Sequence, residues 1–192
     1  MTDFDSLLAG VRACRLCEAT LPQPPRPVLQ ASATARILIV GQAPGRLAHE
    51  AGRPFSDPSG ERLRRWLGVD ETVFYDASRI ALLPMGFCFP GSGKGGDLPP
   101  PPACAQAWRA DLLAAMPEVA LTVILGRYAI DWHLPQARRQ SLSAVTAAWR
   151  DYWPQLLPMP HPSPRNHRWL KQNPHVEADI VPALQARVAG LL

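Results

Sequence analysis

Two short apolar runs, each closed by a glycine, constrain this chain most: Ile37-Leu38-Ile39-Val40 before Gly41, and Leu121-Thr122-Val123-Ile124-Leu125 before Gly126. A strand with one wet face alternates apolar with polar, so runs that do not alternate predict strands covered on both faces, as in parallel sheets. Residues 74–83 read as another strand region and 156–159 as a fourth strand. Helical patterns fill the intervals. Phe4, Leu7, Leu8 and Val11 share a face within 4–17, and 61–67 reads as a short helix with Ser59 as N-cap and Gly68 as stop. Residues 103–116, 127–134 and 141–153 also read as helices. This alternation predicts an α/β fold: a single three-layer domain over 1–192, with a central, mostly parallel four-stranded sheet flanked by helices. Ligands in such sheets gather where loops leave the carboxyl ends of the strands, which directs attention to 41–45, 85–90 and 161–166.

Composition narrows the class. The chain has 192 residues, 47% hydrophobic and 19% charged, enough apolar surface for one core and too much for general disorder. No run approaches the roughly 18 apolar residues of a membrane span, and Asp3 and Asp5 stand where a signal peptide would be basic. A cytoplasmic protein without a membrane partner is expected. The net charge of +4 permits a polyanionic partner without requiring one. Only Lys94 and Lys171 are lysines; the other basic residues are arginines, whose planar fork suits phosphate and stacks on bases, although a GC-rich genome gives the same bias. Twenty-two prolines imply much well-placed loop. Pro22, Pro24, Pro25 and Pro27 force an extended connector, and 85–102, with five glycines and five prolines, reads as one long loop.

The four cysteines form two distant pairs: Cys14-x-x-Cys17, then 70 residues to Cys88 and 15 more to Cys104. A reducing compartment disfavours structural disulfides, and four thiolates complete the ligand set of a tetrahedral zinc or a [4Fe-4S] cluster. Zinc ribbons usually close with two CxxC knuckles, so the wide second gap suits a cluster better. Unlinked or redox cysteines are the alternative.

Ile39-Val40-Gly41-Gln42-Ala43-Pro44-Gly45, followed by Gly52-Arg53-Pro54-Phe55 and Gly60, resembles the uracil-DNA glycosylase superfamily, closest to its iron–sulfur family 4 branch. That branch carries G-E-A-P-G and then G-x-P-F-x-G-x-A-G. The cysteine layout is similar to the same branch, and His161-Pro162-Ser163-Pro164 resembles the superfamily's second active-site motif. The likeness runs from Cys14 to about Trp169 in matching order. It implies base excision: a deaminated base, uracil first, flipped out of DNA and cut from its sugar by a monofunctional glycosylase, a monomer active at the bacterial nucleoid.

Residue by residue, the resemblance implies a stacking face at Phe55 and close backbone approach to base and sugar at Gly41, Ala43, Pro44 and Gly45. His161 would donate to the base oxygen that gains charge. Ser163 would hold phosphate, and Arg165 would either wedge into the vacated stack or pair with phosphate. A structural [4Fe-4S] cluster, with zinc as the lesser candidate, would sit on Cys14, Cys17, Cys88 and Cys104.

Two positions depart from the branch. Gln42 replaces a glutamate with a catalytic role; an amide can place a water but cannot take its proton. Asp57, or less readily Glu50, could serve instead, although Asp57-Pro58 is also a common helix-entry turn. Pro84 replaces an asparagine that reads the uracil edge. Asn166 could take over that reading, or could instead cap a helix over 168–172. Hypoxanthine and xanthine therefore stay open as substrates. So does non-catalytic binding of a damaged base or abasic site. An iron–sulfur redox protein on an α/β scaffold is the reading from another class.

Overall fold

The computed structural model describes residues 3–192. Met1 and Thr2, part of the domain expected over 1–192, lie outside them. Helix α1 (Asp3–Arg12) leads through the proline connector to β1 (Ile37–Val40). Helices α2 (Arg46–Ala51), α3 (Pro58–Leu67) and α4 (Glu71–Phe74) carry the chain to β2 (Ile80–Leu82). A small hairpin follows, β3 (Ser92–Gly93) and β4 (Gly96–Asp97), then α5 (Pro102–Ala114) and β5 (Leu121–Leu125). Helices α6 (Arg127–His133) and α7 (Leu142–Ala147) precede β6 (Leu156–Met159), and α8 (His167–Gln172) and α9 (Val181–Leu191) close the fold.

β1, β2, β5 and β6 form one sheet in the order β2-β1-β5-β6, every pairing parallel. Period-two alternation divides the strand residues between two cores. Leu38, Val40, Ala81 and Ile124 pack with Leu8 and Val11 of α1, Leu112 of α5 and Ile130 of α6. Ile37, Ile39, Ile80, Leu82, Val123 and Leu125 pack with Leu63 and Leu67 of α3 and Leu184 and Val188 of α9. Each buried Leu, Ile or Val contributes about 1.5–3 kcal/mol, so these two faces hold the three layers together. From β1 the chain moves to β2 on one side and later returns to β5 on the other. The crevice at their carboxyl ends is the switch point where parallel sheets bind ligands.

Several local expectations change. The N-cap of α3 is Asp57, whose carboxylate accepts from Gly60 N–H, not Ser59, so the helix begins earlier than 61; Gly68 ends it as expected, in left-handed geometry at φ 70°. Of the strand region expected over 74–83, Phe74 instead ends a short helix, Glu71–Phe74, capped by Asp70, and the strand itself is confined to Ile80–Leu82. The helix expected over 4–17 ends at Arg12, and that over 141–153 breaks after Ala147 into a 3-10 turn, Trp149–Asp151. The loop 85–102 contains the β3–β4 hairpin.

Candidate active site

A cleft of about 500 Å³ opens over the carboxyl ends of the strands, a volume suited to a small ligand such as a nucleoside. Two motif loops and the start of α3 meet there. Gly41, Gln42, Ala43, Pro44 and Gly45 follow β1; Phe55 and Asp57 lead into α3; His161, Ser163, Arg165 and Asn166 follow β6. Every sequence-predicted site residue outside the thiol set, except the lesser carboxylate candidate Glu50, therefore lines one cavity. Glu50 is not among its lining residues; it is exposed and paired with Arg46 at 2.9 Å. Pro84, after β2, also lines the cleft and offers no side-chain donor.

Local backbone chemistry places the aromatic. Phe55 is the only described non-glycine residue with positive φ, at 52°. Such strain persists only where surroundings impose it. Here Gly60 allows it: a Cβ at that position would run into the Phe55 carbonyl. The Phe55 ring lies near-parallel to His161 (centroids 6.1 Å, 24°) and edge-on to buried Phe74 (6.2 Å, 82°). Its tip stands 3.7 Å from where a Gly41 Cβ would be, an ordinary contact distance that sets the ring against the first motif loop.

His161 sits on a loop held from two sides. Asn166 Nδ2 donates to the His161 carbonyl at 2.7 Å, and Arg62 of α3 donates to the Ser163 carbonyl at 3.1 Å. Asn166 occupies the N-cap position of α8 but makes no side-chain cap bond; its amide fastens the histidine loop instead. Ser163 Oγ accepts from Arg165 N–H at 3.3 Å, closing the turn over Pro164–Asn166. Burial pushes His161 below the ordinary imidazole range, against the opposite pull of Asp57 and Asp97. It is therefore neutral near pH 7 and able to donate one N–H.

Gln42 Nε2 donates to the carbonyls of Asp97 (3.2 Å) and Leu98 (2.8 Å), tying the first motif loop to the β3–β4 hairpin. Sequence reasoning missed the hairpin's contribution: Gly95, Gly96 and Asp97 all line the cleft. The available signal was the Gly-Lys-Gly-Gly turn at 93–96, submerged in a loop already rich in glycine. Arg62 was missed as well, because an arginine on a short amphipathic helix reads as solvated.

The four thiols also converge. Cys14, Cys17, Cys88 and Cys104 line one narrow cavity of about 20 Å³ with Leu16, Pro25, Pro27, Phe87 and Pro101, and all four are free. Trp108 Nε1–H donates to Cys14 Sγ at 3.2 Å and Phe87 N–H to Cys104 Sγ at 3.3 Å. Burial pushes Cys88 up to about 11 and Cys104 up to about 12. Among the described residues no group of three or more His, Cys, Asp or Glu is placed to hold a metal ion.

A parallel sheet with a cleft at its switch point, walled by an aromatic with left-handed backbone and by a histidine, defines an α/β protein with one candidate small-ligand site. The chain belongs to the uracil DNA glycosylase superfamily, whose family model matches residues 29–185. Its fold is similar to the solution NMR structure of a candidate uracil DNA glycosylase from Methanosarcina acetivorans. That match has 17% identity and a TM-score of 0.50, covering 82% of this chain and 93% of that one. Among the described residues no helix is long and apolar enough to cross a membrane.

Proposed function

We propose that this chain is a monofunctional DNA glycosylase that removes a deaminated base, uracil first, working as a monomer on cytoplasmic DNA. The observation that carries the proposal is the meeting of Gly41, Phe55 and His161 around one cleft. A base inside a duplex is unreachable, so the nucleotide is flipped into the cleft and its ring laid on Phe55. As the glycosidic bond breaks, negative charge builds on the base and positive charge on the sugar. Neutral His161 donates to the charged base oxygen, a preorganised contact of the kind whose loss costs about 10²–10³-fold. Ser163 and Arg165 meet flanking phosphates at the rim, and the free atoms of Asn166 read the base edge.

The four cysteines are proposed to hold a [4Fe-4S] cluster, zinc being the lesser candidate. The donor set fits: four unpaired thiols face one cavity and two N–H groups point at sulfur. Bound there, the group would cross-link the end of α1 to the 88–104 segment. Visible absorption with matching iron and sulfide content tests this, and Cys14→Ser should abolish both signals.

The activity test is base release by metal-replete protein from uracil-, hypoxanthine- and xanthine-containing oligonucleotides. Wild type releases base from at least one of them, and His161→Ala loses about a hundredfold or more in rate while still binding abasic duplex. A second reading, binding of damaged bases or abasic sites without catalysis, is favoured by Gln42 being tied to backbone and by the mute Pro84. Tight abasic-duplex binding with no base released from any substrate would select it.

A further inference from the structure

The β3–β4 hairpin is held against the cleft by both motif loops. Gln42 donates to the carbonyls of Asp97 and Leu98, and the Arg165 guanidinium lies against Gly96, where any Cβ would collide with it and where φ is +137°. Leu98 N–H returns to the Gly91 carbonyl at 2.8 Å and closes the base of the hairpin. This seating brings the Asp97 carboxylate to the cleft wall. Oδ1 accepts from Ser92 Oγ at 2.9 Å. Oδ2 lies 3.3 Å from where a Gly45 Cβ would stand and has no hydrogen-bond partner among the described residues.

Donor chemistry links this carboxylate to position 42. A glutamate there could only accept, so it could not bond two carbonyls. Glutamine can. Position 42 thus carries no carboxylate of its own but fastens the segment that does. Asp57, the other carboxylate of the cleft, has Oδ1 occupied in capping α3.

We propose that Asp97, delivered by the Gln42-tethered hairpin, is the carboxylate that binds and deprotonates the attacking water; this rests on the glycosylase reading above. The water oxygen forms the new bond to the sugar C1′. The C1′–N bond breaks with its electron pair passing to the base, where His161 N–H steadies the charged oxygen. The water proton goes to Asp97 Oδ2, and the departing base anion takes up a proton from solvent.

The test is single-turnover base release by holoenzyme from whichever substrate wild type cleaves, with abasic-duplex affinity and thermal melting measured in parallel. Asp97→Asn preserves the acceptor for Ser92, so melting and abasic-duplex affinity stay at wild-type values. Its rate falls about 10²–10⁴-fold, the usual loss for a general base. Asp97→Glu recovers part of the rate. Gln42→Glu lowers the rate and speeds hydrogen exchange at the Leu98 amide, because the hairpin loses both donors. An active wild type with Asp97→Asn within threefold of it would overturn this assignment and leave the glycosylase intact, as would a rate gain in Gln42→Glu. A wild type inactive on every substrate would remove both.

Discussion

At the scale of single residues, the site depends on a few close approaches that tolerate no added atom. Gly60 admits the Phe55 carbonyl, and the left-handed Phe55 backbone depends on that approach. Gly60→Ala should therefore cost about 1–3 kcal/mol, read as a lower urea midpoint, and should slow base release because the ring is displaced. Asp57 separates two roles cleanly. Its side chain caps α3, so Asp57→Ala should lose about 1 kcal/mol of stability, whereas Asp57→Asn keeps an acceptor and should keep that stability. A large rate loss in Asp57→Asn, beside an unaffected Asp97→Asn, would move the water-handling carboxylate from the hairpin to this cap. Gly41, Phe55 and His161 were legible together, because the glycine turn, the aromatic beyond it and the histidine between prolines stand in the order of the family's motifs. The function of Gln42 was not, since its two acceptors lie on a hairpin more than fifty residues away.

Among elements, α5 shows how far sequence pattern misjudges burial. Its helical span was read almost correctly, yet Arg109, which looks like a residue of the solvated face, is 1% exposed. Its guanidinium donates to the carbonyls of Leu83 (2.9 Å) and Pro84 (2.5 Å), just beyond β2 and beside the cleft. Burial pulls it down to about 10, so it remains charged at neutral pH. Arg109→Leu should orphan both carbonyls and destabilise by about 2–4 kcal/mol in urea unfolding, and Arg109→Lys should recover only part of that. The same contrast marks the hairpin. Its turn glycines were visible, but the two-residue ladder is seated on the cleft by Gln42, with Arg165 lying against Gly96, and no local propensity announces those partners.

For the molecule as a whole, two half-buried imidazoles contribute to the pH response. His133 is pushed down to about 4 from 6.5, by burial first and then by the Arg109 charge, and His161 is displaced in the same direction. Between these values the unfolded chain binds protons that the native chain refuses. Stability is therefore full above about 6.5 and declines as pH falls toward 4. Urea midpoints should drop between about pH 7 and pH 5, and His133→Gln should flatten that slope. Sequence by itself determined the parallel strands, the three-layer order and the loops that carry chemistry, because apolar runs, caps and glycine stops act over a few neighbouring residues. Tertiary structure alone decided that Asp97 enters the cleft, that Arg109 is buried and that Gln42 fastens the hairpin. Those depend on which distant surfaces pack together, and packing is a property of the folded sheet and helices rather than of any short stretch of chain.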